Sequence, residues 1–164
     1  MDDTATLNHG PSSEVLARTF VGPGAFVRWE AALEDLSAAD AVRVPAGSPH
    51  SVAQVVAHVD FWMRWILETL GGRPQPWPQH AEGGWPEVSE ADWAALRDGL
   101  LARLRRAAEL ARDEEFTARV AYRNDTAGKA LMDFAFHNAY HLGQVVLIRR
   151  MLGAWPPPSG GDTW

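Results

Sequence analysis

Ser51-Val52-Ala53-Gln54-Val55-Val56-Ala57-His58-Val59-Asp60 opens a long helix, and its reading sets the fold class. Ser51 and Gln54 stand three apart as a capping box, in which each side chain accepts from a backbone N–H that the helix start leaves unpaired. Beyond it Val52, Val55, Val56, Val59, Trp62, Met63, Ile66 and Leu70 recur at helical spacing and form a wide apolar stripe. Gly71-Gly72 ends the helix. His58 lies midway along it, at the edge of the stripe.

Other segments repeat this pattern on both sides. Ser13 to Phe20 reads as a short lead-in helix stopped by Gly22-Pro23, and the spacing predicts a first bundle helix from Pro23 to about Ser37 through Phe26, Val27, Ala31, Leu33 and Leu36. Residues 42–49 connect it to the second. Ser89 with Asp92 caps a third helix that runs to about Asp113 on Trp93, Leu96, Leu100, Leu104, Ala107 and Ala108. The fourth is read from about Gly128 to Leu152, roughly 37 Å at 1.5 Å per residue. Gly153 ends it and Pro156-Pro157-Pro158 forbids continuation. Between helices two and three, residues 71–88 are rich in Gly and Pro. That is long for antiparallel neighbours, which are usually joined by about 2–8 residues, so a crossover or a cover over a site is expected there. Residues 114–127 are polar, with a turn signal at Asn124-Asp125 and a short extended piece over Phe116 to Arg123. Four helices of 15–25 residues with little strand signal predict an all-α bundle. One domain is expected over 13–158, between a loose tail at 1–12 and another at 159–164.

Composition narrows the function classes. A net charge of −6 argues against a phosphate backbone as partner. Arg103, Arg105 and Arg106 do cluster, but Glu109, Asp113, Glu114 and Glu115 follow and make this a solvated helix face. There is no apolar run of about 18 residues, so no membrane partner is expected. The start Met1-Asp2-Asp3-Thr4 lacks the features of a secretory signal, and a cytoplasmic protein is expected. Cysteine is absent, which excludes disulfides, thiolate ligands and a cysteine nucleophile. Any metal must then be held by nitrogen or oxygen.

His137 and His141 are four apart on the fourth helix and share a face with Phe134, Val145 and Ile148. Two imidazoles at that spacing reach one ion, as in the helical His-x-x-x-His of metalloproteases, but Asn138-Ala139-Tyr140 supplies no glutamate base. Asp133, one turn before His137, and Gln144, three residues after His141, are placed to bond a ligating imidazole or a metal-bound water. His58 supplies a third imidazole from another helix, the ligand number of a catalytic-type site. Spacing alone leaves both a metal site and hydrogen-bonded core histidines open.

The stretch His137-Asn138-Ala139-Tyr140-His141-Leu142-Gly143-Gln144, followed by Arg149-Arg150 and Gly153, resembles the closing helix of the DinB/YfiT-like superfamily. Residues 51–60 resemble that family's second-helix motif, and the resemblance covers roughly residues 20–158. It implies a four-helix bundle with a long crossover and a metal site made by His58, His137 and His141. Water or a small-molecule substrate would complete the shell around a divalent ion, zinc or nickel foremost. It also implies a homodimer. Some relatives are thiol-dependent transferases or isomerases, so a low-molecular-weight thiol is a second cofactor to expect; the alternatives are a metal-dependent hydrolase and a non-catalytic, stress-associated metal-binding protein. The chain departs from the family at Leu142, where a basic residue often follows the last ligand.

The remaining candidates have plainer readings. His50 reads as a solvated residue ahead of the cap, and His9 and His80 as loop residues. Trp62 and Trp65 flank His58 as cleft wall or core. Arg149 and Arg150 read as charges that complement the helix dipole, and Trp164 as a tail aromatic that packs or frays.

Overall fold

The computed structural model describes residues 12–22, 24–79 and 81–161. Among these, seven helices carry the fold: α1 (Ser13–Val21), α2 (Trp29–Leu33), α3 (Ala38–Val42), α4 (Val52–Leu70), α5 (Trp93–Arg112), α6 (Glu114–Ala118) and α7 (Ala127–Met151). The bundle is made by α1, α4, α5 and α7, with α1 packed on α5 and α7, and α4 packed on α5 and α7. Their buried faces meet in one core that includes Phe20, Met63, Ile66, Leu100, Leu104, Leu131 and Val145. No helix among the described residues is long and apolar enough to cross a membrane.

The α4 start is built as the sequence requires. Gln54 N–H donates to Ser51 Oγ at 3.1 Å, and Ser51 N–H donates to Gln54 Oε1 at 3.0 Å. At its end Gly72 takes φ +84, and Arg73 N–H reaches back to the Glu68 carbonyl. This left-handed turn strongly favours glycine. α7 ends in the same way, with Gly153 at φ +73 and Ala154 N–H bonded to the Arg149 carbonyl.

The first bundle helix is not where the apolar spacing puts it. Of residues 24–37, only Trp29–Leu33 is helical, and the predicted helix is replaced by α2 and α3. Pro23, its predicted start, lies outside the described residues. Asp35 at φ +50 breaks the backbone, and the Ser37 hydroxyl accepts from Asp40 N–H to start α3 anew. Such local side-chain bonds compete with helix continuation. Trp29, Ala31, Ala32 and Leu33 are all buried, so this piece packs on several sides rather than along a stripe. The lead-in helix α1 takes the first place in the bundle.

Residues 71–92 cross from α4 to α5 with 3-10 turns at Ala81–Gly84 and Glu90–Asp92. The Ser89 and Asp92 capping box is present ahead of α5. Between α5 and α7 the predicted extended piece is only partly extended. Its first residues belong to α6, and β1 (Val120–Tyr122) pairs antiparallel with β2 (Asp125–Thr126). Arg123 and Asn124 form the two-residue turn, both at positive φ, as a type I′ hairpin demands. The Arg123 guanidinium lies over the Trp77 ring at 5.0 Å and so fastens the hairpin to the crossover.

α7 is amphipathic in an unusual sense. Its inner face fills the core, and its outer face exposes Phe136, Tyr140, Leu147 and Met151. The tails at 1–11 and 162–164, including His9 and Trp164, lie outside the described residues, as does His80.

Candidate metal centre

α4 and α7 pack side by side and bring His58, His137 and His141 together. One ring nitrogen from each lies within 4.8 Å of the others. His58 and His141 are 7% and 5% exposed, while His137 is half-buried, so the cluster opens toward His137.

The hydrogen bonds decide which nitrogen each ring presents. His58 Nδ1 meets the Gly84 carbonyl at 2.6 Å. A carbonyl only accepts, so Nδ1 carries the proton and Nε2 has a free lone pair. His141 Nδ1 donates to Gln144 Oε1 at 2.7 Å, and His137 Nδ1 faces Asn138 Oδ1 at a longer 3.4 Å. His58 and His137 thereby turn Nε2 toward each other, and with its Nδ1 engaged His141 has Nε2 left to offer. His58 Nε2 and His137 Nε2 stand 3.2 Å apart, a contact that repels unless a cation or proton lies between them. A tetrahedral ion with metal–nitrogen bonds of about 2.0–2.1 Å needs nitrogens roughly 3.3 Å apart. The residues fit a divalent ion.

Electrostatics favours the neutral imidazoles that a metal requires. Burial pushes His58 down to about 4, with the neighbouring His141, His137 and His50 adding to the effect against the Gly84 bond. Burial, then His141, pushes His137 down to about 4 as well. His141 is lowered chiefly by burial, against the bond to Gln144. Among the described residues no carboxylate, lysine or arginine contributes to these three shifts, and the only charge effects on them come from neighbouring histidines.

A pH dependence follows, and its sign is fixed. An unfolded histidine titrates near 6.5, so between that value and about 4 the unfolded chain binds more protons than the folded one. Folding stability therefore falls as pH drops through that window. Melting of the metal-free protein should show Tm declining from pH 6.5 to 4, with a shallower decline in His137→Gln. Equal slopes in the two proteins would contradict the assignment of buried neutral rings. Among the described residues four carboxylates also have lowered values, Glu14, Glu34, Asp40 and Asp92, but they begin lower, from 4.5 or 3.8.

Aromatic rings wall the cluster. Trp85 stacks on His58 at 3.9 Å and 14° and presents an edge to His141 at 5.8 Å. Trp62 meets His58 edge-on at 6.3 Å, Phe134 lies 6.2 Å from His137, and Tyr140 lies edge-on to His141 at 5.1 Å. Trp65 is buried and donates its indole N–H to the Pro76 carbonyl.

Of the expected supporting residues, Gln144 reaches a histidine and Asp133 does not. Asp133 is exposed and pairs with Lys129 one turn before it, at 2.9 Å. Position i−4 from His137 placed Asp133 on the right side of the helix by spacing, but its side chain leans to the lysine. His50 is not simply solvated. It is half-buried and stacks on Trp85 at 4.0 Å and 12°. Leu142 is in the core, turned from the cluster's solvent side. Arg149 is 2% exposed and reaches no site residue: it bonds to the Ala32 and Ala154 carbonyls. Sequence reading missed Gly84, Trp85 and Asn138. Asn138 is fully buried and also donates to Met63 Sδ across the helix pair; a polar residue on the apolar face of α7 was the available signal.

Fold and site together define an all-α bundle with a three-imidazole cluster between two long helices. The sequence model of the DinB superfamily matches residues 25–145, and the chain belongs to that superfamily. No curated protein and no solved structure matched it.

Proposed function

We propose that the protein binds one divalent metal ion through Nε2 of His58, His137 and His141 and leaves a coordination position for an external ligand. The observation that carries this reading is the convergence of three neutral imidazoles whose Nδ1 atoms are engaged elsewhere. A core builds such a cluster at a cost, since buried polar groups must be partnered, and a bound cation accounts for it. Zinc and nickel both suit three neutral nitrogens.

The enzymatic reading is a thiol-dependent transferase or isomerase, or a metal-dependent hydrolase. A divalent ion with three uncharged ligands would supply enough positive charge to lower the pKa of a bound water or an external thiol. The chain's own part is to hold the three nitrogens, to shield them with Trp62, Trp85 and Phe134, and to admit a ligand beside half-buried His137. In a thiol conjugation by substitution, the sulfur–carbon bond would form as the electrophile's bond to its leaving group breaks, the leaving group departing with the electron pair and the thiol proton passing to solvent. The chain has no cysteine of its own to compete for the electrophile. The second reading is a non-catalytic metal-binding protein with the same ligands.

Thermal melting with and without zinc or nickel tests the binding claim. Each metal in excess should raise Tm, and the absence of any shift with every divalent ion tried would remove it. Conjugation assays with model electrophiles and several small thiols then separate the two readings. Metal-dependent turnover that disappears in His58→Ala supports the enzyme; binding without turnover supports the second reading.

A further inference from the structure

His58 is held from a direction that the bundle helices do not provide. Its Nδ1–H goes to the backbone of Gly84 in the crossover, at 2.6 Å, and the next residue, Trp85, lies flat on its ring. Gly84 is buried there, and its lack of a side chain keeps the approach uncrowded on the Trp62 side. A Cβ would stand 3.3 Å from Trp62 Nε1 and 3.6 Å from His58 Nδ1. Trp62 has little freedom to give way, because Phe61, Trp65, Trp77 and Phe134 all pack against its ring.

The crossover does not drift over this spot by chance of length. Upstream, Gln75 N–H donates to Thr69 Oγ1 at 3.3 Å and Trp65 Nε1 donates to the Pro76 carbonyl at 3.0 Å. Trp77 packs on Trp62 at 4.9 Å and on Trp65 at 5.2 Å. Downstream, Trp85 is backed by the His50 ring, and the Ser89 cap starts the descent into α5. α4 thus anchors the segment with one set of side chains and receives its carbonyl on another, His58, two turns nearer its start.

We propose that Gly84 and Trp85 are positioning residues of the metal centre. The Gly84 carbonyl fixes His58 in the tautomer that presents Nε2 to His137 and His141, and the Trp85 indole fixes the plane of the ring. An imidazole without that carbonyl carries its proton on either nitrogen, and the Nε2–H form cannot ligate. Metal-binding histidines characteristically donate their other N–H to such a partner, and its loss costs about 10–100-fold in metal affinity. The inference rests on the three-histidine ligand reading.

The test uses zinc alone, the full chain and two readouts. Gly84→Ala and Trp85→Leu should each weaken zinc binding about tenfold or more in chelator competition, with helicity by circular dichroism retained. Adding Trp62→Phe to Gly84→Ala removes the indole N–H that crowds the new Cβ and should recover part of the loss, which general destabilisation would not do. In the metal-free chain, nitrogen NMR should find the His58 proton on Nδ1, and Gly84→Ala should move part of it to Nε2. Wild-type zinc binding with both single variants within twofold of it overturns the positioning role and leaves the ligands standing. A His58 proton on Nε2 in the metal-free wild type does the same. A wild-type chain that binds no zinc, nickel or cobalt overturns the ligand reading and this inference together.

Discussion

Replacing His137 by alanine is expected to abolish metal retention while leaving the helices in place. His137 is the half-buried member of the trio, and its Nε2 stands 3.2 Å from that of His58. Removing it leaves two nitrogens on different helices, His58 on α4 and His141 on α7, with no third donor among the described residues to replace it. The loss should exceed the roughly 100-fold upper range of outer-partner changes. A metal at 100 times its dissociation constant stabilises a protein by about 2.7 kcal/mol. In a chain of this size that is a Tm rise of roughly 5–10 °C. His137→Ala should lose that rise and should come through chelation and dialysis without metal. A variant that keeps the wild-type rise would show that the ion, if any, sits elsewhere. The metal-free fold should suffer less, because a desolvated imidazole is being removed from a contact between two lone pairs.

Arg149→Ala carries the second large effect, on stability. The Arg149 side chain is almost wholly enclosed, its Nε–H donating to the Ala154 carbonyl at 2.9 Å and its Nη1–H to the Ala32 carbonyl at 2.8 Å. Trp155 covers the guanidinium at 5.6 Å. One residue therefore ties the end of α7 to α2 and to the chain that follows the helix. Burial lowers its pKa against the pull of Asp35, Glu34 and Asp40, so the guanidinium is desolvated but lies in an acidic field. Alanine would take this donor from the buried Ala32 carbonyl, at about 1–3 kcal/mol, and from the half-buried Ala154 carbonyl at less, and would leave a cavity besides. Relief of the buried charge offsets part of this, and a net loss of about 3 kcal/mol is expected. That corresponds to a Tm lower by roughly 6–12 °C. Arg149→Met, which keeps most of the volume, should recover some of it. A change below about 1 kcal/mol in denaturant melts would contradict the clamp.

These two residues show how legibility divides. The α4 helix was readable because each local signal agreed: the Ser51 and Gln54 box, the apolar stripe and Gly71-Gly72 all specify one element. α5 was readable from its Ser89 and Asp92 box and apolar spacing, and α7 from its Gly153 and proline stop, while its Thr126 cap was not read. Residues 23–37 misled because an approximate period was present without the caps to match it. Their burial comes from packing on several sides, which leaves no stripe, and Asp35 and Ser37 broke the helix through bonds that are not visible as periodicity. Arg149 misled for a related reason. A last-turn arginine ordinarily faces solvent and the helix dipole, and only the return of the chain after Gly153 encloses it.

At the cluster, the three histidines were readable in different degrees. His137 and His141 share a face by spacing alone, whereas His58 joined them through the resemblance of its segment to a family motif. Its partner was beyond reach of either argument. Gly84 acts through a backbone carbonyl, which has no sequence signature, and the residue identity matters only because α4 brings Trp62 so close. Trp85 stood in a Gly- and Pro-rich stretch whose length suggested a cover over a site, without showing which residue would touch it. Asp133 marks the opposite error: helical position placed it correctly, and a lysine one turn away took its carboxylate.

The reading of the protein as a one-ion centre is tested most directly by calorimetric titration of the metal-free wild-type chain with zinc at pH 7. Three converging Nε2 atoms that remain neutral at that pH predict saturable binding of one ion per chain. Titration to no saturable binding, by zinc and then by nickel, would contradict the account.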